Sequence, residues 1–186
     1  MAIRKVGVLG CGLMGAGIAE VAAKAGFDVV VREVDAGALD KGLGRIRGSL
    51  AKAVEKGKLD AEARDAALAR LAGTVDFADL ADCDLVVEAI VESFEEKKRV
   101  YAAFDAVAKP GHAIVASNTS SLTITALAMA TDRPDRFVGL HFFNPVHVMT
   151  LVEVVPHDRT DRAAVDEALA FARLLGKEPI VVRDSP

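Results

Sequence analysis

The apolar residues of this 186-residue chain switch repeatedly between two patterns, and few folds accommodate both. Val6–Leu9, Val29–Val31, Leu85–Val87 and Ile114–Ala116 are short, continuous apolar runs. A strand buried on both faces of a parallel sheet has this texture, because neither face meets water. Between these runs, Met14–Ala25, Ala38–Lys56, Asp60–Leu71 and Phe94–Ala108 repeat apolar residues at helical spacing. Such alternation predicts an α/β fold with a doubly wound, mostly parallel sheet. The composition is 52% hydrophobic and 27% charged, enough to bury a sizeable core, and the length suits one domain over residues 1–186.

Two regions depart from simple alternation. The Ala-rich, highly charged segment at about 36–72, with a break near Lys56-Gly57-Lys58, reads either as a helical hairpin projecting from the sheet or as a solvated pair of surface helices. After Pro134, Phe137–Phe143 and Leu151–Val155 read as two strands joined through Asn144-Pro145-Val146-His147. A helix over Asp161–Leu175 and a strand over Ile180–Val182 follow, and the chain stops at Pro186.

Charge and cysteine content exclude several classes. With 23 Lys and Arg against 27 Asp and Glu, the net charge of −4 argues against general nucleic-acid binding. No apolar stretch is long enough for a membrane-spanning helix. Arg4 and Lys5 precede an apolar run, but Gly7, Gly10 and Gly12 interrupt it, so it reads as a first strand entering a turn rather than a signal peptide. Cys11 and Cys83 lie far apart and form no CxxC, so neither a metal site nor a disulfide is expected, and a cytoplasmic location is.

Gly10-Cys11-Gly12-Leu13-Met14-Gly15 matches GxGxxG, a weak pattern alone but a strong one in its setting. It follows the first strand and opens the first helix, and Glu33 ends the next strand 23 positions after Gly10. Gly10 permits the tight turn, Gly12 lets a pyrophosphate approach the backbone, and Gly15 allows close helix–strand packing. The helix N-terminus offers N–H groups to phosphate. Glu33 can accept from both ribose hydroxyls and repels a 2′-phosphate, which favours NAD over NADP. Strand alternation points the neighbouring Arg32 the other way.

Ser117-Asn118-Thr119-Ser120-Ser121 follows a buried strand, where a doubly wound sheet places its crevice, although such a cluster also serves as a turn and helix N-cap. His141 and Glu153 are single polar residues in apolar strands, and each is the obvious partner of the other. A His–carboxylate pair beside a dinucleotide site suits alcohol oxidation, because removing the hydroxyl proton assists hydride departure.

Four blocks, GCGLMGAGIAEVAAKAGFDVVV, DLVVEAIVESFEEKK, SNTSSLTIT and RFVGLHFFNPVHVMTLVEVV, resemble the NAD-binding domain of L-3-hydroxyacyl-CoA dehydrogenases, including 3-hydroxybutyryl-CoA dehydrogenases. The resemblance runs over essentially the whole chain and implies NAD-dependent oxidation of a 3-hydroxyacyl-CoA, of short chain, in fatty acid metabolism. By resemblance His141 is the general base, Glu153 its partner and Ser120 a hydrogen-bond donor to the substrate oxygen, with Asn144 beside them. Leu13, Met14, Ala89, Glu92, Lys97, Asn118 and Ser120 join the glycines and Glu33 as cofactor-contacting positions. Ser49 and Lys56 match positions that meet the CoA portion. His147 stands where the family usually has Pro, Thr150 where it often has Lys, and Glu33 replaces the commoner Asp.

The family is typically a homodimer and continues into an all-helical domain with an active-site asparagine, so the chain reads as a truncated or split-gene cofactor-binding half. Two other functions share these features: a dehydrogenase of a free hydroxy acid, and a non-catalytic NAD-binding module.

Overall fold

A computed structural model of the chain describes residues 3–185; the expectation attached to Pro186 lies outside them. Eight strands form one sheet: β1 (Lys5–Leu9), β2 (Asp28–Arg32), β3 (Leu71–Thr74), β4 (Leu85–Glu88), β5 (Ile114–Ser117), β6 (Phe137–Phe142), β7 (Leu151–Val155) and β8 (Glu178–Val181). Their order across the sheet is β3-β2-β1-β4-β5-β6-β7-β8. The first six are parallel, β7 runs antiparallel to β6, and β8 runs parallel to β7.

Alternating side chains along each inner strand feed two separate cores, one on each face of the sheet. Val29, Val31, Leu85, Val87, Ile114 and Ala116 enter one core, and Val30, Val86 and Val115 enter the other. This is why those runs are apolar throughout rather than alternating. On the first face lie α1 (Leu13–Lys24) and α6 (Arg162–Leu174), which supply Ile18, Ala19, Ala168 and Phe171. Phe27 and Phe171 meet edge to face at 5.1 Å there. On the second face lie α4 (Phe94–Asp105) and α5 (Ile124–Ala128), with Tyr101, Phe104 and Leu127.

The charged segment forms α2 (Ala36–Glu55) and α3 (Ala61–Ala69), separated at Gly57, whose φ is +64°. Only Gly42, Ile46 and Leu50 of α2 are buried, so the helix packs by one narrow stripe. Helical structure in the Asp60–Leu71 stretch ends before Leu71, which opens the edge strand β3 paired with β2. Leu-Ala-Gly-Thr carries no β-branched run to signal a strand. Its Gly73 clears space for Leu39 and Leu43 of α2. The helix α5 was also invisible to periodicity, being five residues long.

Strand order reverses between β1 and β4, because β2 and β3 add on one side and β5 and β6 on the other. A crevice opens beyond the carboxyl ends of the strands at such a reversal, and the site lies there.

Candidate active site at the sheet switch point

The turn after β1 is built for close approach. Gly10 has φ +89°, and a Cβ there would lie 2.7 Å from the Ala89 carbonyl. A Cβ on Gly15 would overlap the Gly10 carbonyl, so the start of α1 sits directly against the turn. Nothing lies within 4 Å of a Cβ at Gly12, which faces open space. The N-cap of α1 is Gly12, with no capping side chain and no acidic residue in the first turn. In contrast, Asp35, Asp60 and Ser93 cap α2, α3 and α4. The first-turn N–H groups of α1 are thus left for an anion, as a pyrophosphate requires.

A cavity of about 350 Å³ beside this turn is lined by Gly10, Gly12, Arg32, Glu33, Ala89 and Val91, among others. Glu33 Oε1 accepts from Cys11 N at 2.5 Å and Oε2 from Val34 N at 3.0 Å, which fixes the carboxylate at the rim of the loop. Arg32 lines the same cavity, contrary to strict alternation, because β2 ends at Arg32. Its guanidinium stacks 4.1 Å over Phe77, and its Nε donates to the Val75 carbonyl.

A second cavity, of about 210 Å³, is lined by Met14, Ala89, Ile90, Glu92, Lys97, Asn118 and Ser120. Below it lies a polar cluster whose centre, Glu88, sequence reasoning missed, although it named Glu92 and Lys97. Glu88 ends β4 fully buried, and its carboxylate accepts from Lys97 Nζ (2.7 and 2.9 Å), Tyr101 Oη (2.8 Å), Ser117 Oγ (2.7 Å) and Ile90 N (2.9 Å). Lys97 Nζ also lies 3.0 Å from Glu92 Oε2. Glu92 Oε1 accepts from Thr119 Oγ1 and from Ser121 Oγ. Asn118 Oδ1 accepts from Phe142 N at 2.9 Å, which ties the β5 loop to β6. The one available signal for Glu88 was a lone carboxylate closing an otherwise apolar strand.

A cleft of about 270 Å³ holds His141, Glu153, Ser120 and residues 182–185 of the C-terminal segment. Antiparallel pairing places His141 directly opposite Glu153, and Nδ1 lies 2.9 Å from Glu153 Oε2. Holding Nδ1 leaves Nε2 as the ring atom free for proton transfer. Ser120 lines both this cleft and the 210 Å³ cavity, so the two share a wall. Asn144 sits on the loop after β6, exposed, before a cis peptide bond to Pro145, and lines none of these cavities.

A wider groove, about 670 Å³, runs between α1 and α2. Ser49 and Lys56 line it together with Arg45, Lys52 and His147, and so does Leu13, which lines neither of the two cavities beside the glycine turn. Its lining thus holds three basic side chains, Arg45, Lys52 and Lys56, and one buried acidic residue, Glu20. Arg45 also donates to the Cys11 carbonyl at 3.2 Å, so α2 touches the glycine turn.

Fold, glycine turn and flanking cavities together define a dinucleotide-binding α/β domain with a His–carboxylate pair at its crevice. The chain matches the family model for the 3-hydroxyacyl-CoA dehydrogenase NAD binding domain over residues 5–185, and it belongs to that family. It is 50% identical to a 3-hydroxybutyryl-CoA dehydrogenase of Bradyrhizobium diazoefficiens over 99% of this chain and 62% of that protein. It is 40% identical to the fatty acid oxidation complex subunit alpha of Psychrobacter arcticus, covering 99% of this chain and 26% of that one. The crystal structure of (S)-3-hydroxybutyryl-CoA dehydrogenase from Ralstonia eutropha superposes with a TM-score of 0.96 at 40% identity, over 100% of this chain and 65% of the other. The chain thus spans under two thirds of these relatives. NAD is the cofactor of this family's domain, and the open Gly12 and uncapped α1 fit its pyrophosphate.

Proposed function

We propose that the chain is the cofactor-binding and catalytic half of an NAD-dependent L-3-hydroxyacyl-CoA dehydrogenase acting on short acyl chains such as 3-hydroxybutyryl-CoA. The observation that carries this reading is the 2.9 Å His141–Glu153 pair in a cleft that shares Ser120 with the cofactor crevice. NAD supplies the hydride acceptor. His141 Nε2 takes the proton of the 3-hydroxyl as the C3 hydride leaves, and a 3-oxoacyl-CoA, NADH and a proton result. Glu153 orients the ring through Nδ1 and stabilises the imidazolium that forms. The Ser120 hydroxyl donates to the substrate oxygen.

The groove of Arg45, Lys52 and Lys56 supports a CoA substrate over a free hydroxy acid, since clustered cations suit its phosphates. We assign Glu33 to the adenosine ribose and the cavity of Met14, Asn118 and Ser120 to the nicotinamide. The whole of residues 1–186 is read as one NAD-binding unit, with the helices over about 36–72 projecting to carry the CoA groove. A helical domain beyond this chain, homodimerisation and a cytoplasmic location complete the proposal; no described helix is long and apolar enough to cross a membrane.

The test is oxidation of NADH by acetoacetyl-CoA, followed by absorbance, with free acetoacetate in parallel. Oxidation that requires the CoA thioester supports the proposal. Equal oxidation by free acetoacetate, or failure of NADH to bind, contradicts it.

A further inference from the structure

We infer that the Glu88–Lys97–Glu92 triad leaves one uncompensated negative charge beside the nicotinamide cavity and thereby favours the oxidised ring over the reduced one. This rests on the assignment of that cavity to the nicotinamide.

Two carboxylates share one ammonium. Lys97, 1% exposed, reaches both oxygens of Glu88 and one of Glu92. The remaining side-chain partners are the neutral hydroxyls of Tyr101, Ser117, Thr119 and Ser121, which solvate the charge without cancelling it. Burial alone would raise the Glu92 pKa. Hydrogen bonds from Thr119, Lys97 and Ser121, with the Lys97 charge, outweigh it and hold Glu92 below its ordinary value, so it is ionised at neutral pH. Among the residues lining the cavity, only Glu92 and Lys97 carry charge.

A buried ion pair is a poor stabiliser, and apolar replacements of similar volume often do as well. Its position is therefore the informative feature. The oxidised nicotinamide ring is a cation and the reduced ring is neutral, so a nearby net negative charge distinguishes them. Glu88 and Lys97 are shut from water while the Glu92 side chain is 40% exposed, so the field at the cavity is screened only in part.

The experiment measures dissociation constants of NAD⁺, NADH and ADP-ribose for the full chain and three variants. ADP-ribose lacks the nicotinamide and reports any general disturbance of the loop. Glu92→Gln raises the NAD⁺ constant roughly tenfold, the size one unit charge produces in a partly screened interior. NADH and ADP-ribose stay within about twofold of wild type. Glu88→Gln, whose fold is checked by circular dichroism, moves NAD⁺ in the same direction, and Glu92→Gln carries the test if it unfolds. Ser120→Leu fills the cavity and weakens NAD⁺ and NADH while sparing ADP-ribose.

If Ser120→Leu behaves so but Glu92→Gln leaves the NAD⁺ to NADH ratio unchanged, the electrostatic inference is overturned and the cavity assignment stands. If Ser120→Leu changes neither nucleotide, the cavity assignment fails and the inference falls with it.

Discussion

His141 and Glu153 face each other in direct register across the antiparallel β6–β7 pair, with Nδ1 2.9 Å from Oε2. Both backbones are held in the sheet ladder, so the strand pairing itself orients the imidazole. Ser120, which lines the same cleft, comes instead from the loop after β5, which Glu92 and Asn118 fasten by side-chain hydrogen bonds. The cleft thus joins a sheet-borne imidazole to a loop-borne hydroxyl at the point where the two cavities meet.

The contact between α2 and the glycine turn predicts opposite effects at two glycines of one helix. A Cβ at Gly42 would overlap Cys11, whereas one at Gly44 meets nothing within 4 Å. Gly42→Ala lowers stability by about 1–3 kcal/mol through overpacking and weakens NADH by moving the turn. Gly44→Ala raises stability by about 0.5–1 kcal/mol, since alanine costs less chain entropy in a helix interior. Urea unfolding of both variants checks the pair.

Much of this was legible in the sequence, for physical reasons. β1, β4 and β5 announce themselves because both faces are covered, so their residues are apolar in succession. His141 and Glu153 are conspicuous as lone polar side chains in apolar strands, and a carboxylate there requires a partner. Glu88 was not legible as a hub: Lys97 stood out only by resemblance, Ser117 only as the start of a polar turn and Tyr101 not at all, and nothing in their spacing joins them to one carboxylate. Nor was the placement of Arg45 and His147 in the groove, which depends on how α2 and the loop after β6 meet in space.

The cationic groove predicts a selective defect. Lys56→Glu reverses one of its charges at a residue that does not line the His141 cleft. The KM for acetoacetyl-CoA rises roughly tenfold, while the NADH dissociation constant is unchanged. Steady-state kinetics with NADH titrations separate the two.

Both thiols are predicted to be inert in the folded chain. Burial pushes Cys11 up to about 11, with the Glu33 charge adding to it, and pushes Cys83 up to about 12. Neither forms thiolate at neutral pH, and both are buried. Labelling by a disulfide reagent therefore follows the unfolding rate and accelerates in denaturant.

Asp184 predicts a loss of stability in acid. Its carboxylate accepts from Thr125 Oγ1 (2.6 Å), Thr125 N (2.7 Å) and Ile124 N (2.9 Å), tying the C-terminal segment to α5. Burial alone would raise its pKa; the Thr125 and Ile124 hydrogen bonds and the nearby His157 outweigh this and hold it low. A depressed folded pKa gives stability that is present above the unfolded value, about 4, and lost as pH falls through the folded one. Asp184→Ala lowers the Tm at pH 7, and the gap to wild type closes as the pH falls below about 4.

The most direct test of the His141–Glu153 assignment is a comparison of wild type and His141→Gln for NADH binding and for single-turnover oxidation of bound NADH by acetoacetyl-CoA. The variant binds NADH as wild type does, because His141 lines the 270 Å³ cleft and neither of the cavities assigned above to the cofactor. Its hydride-transfer rate falls by roughly 10²–10⁴, the span of a lost general acid–base group. A variant that turns over at the wild-type rate would contradict the assignment.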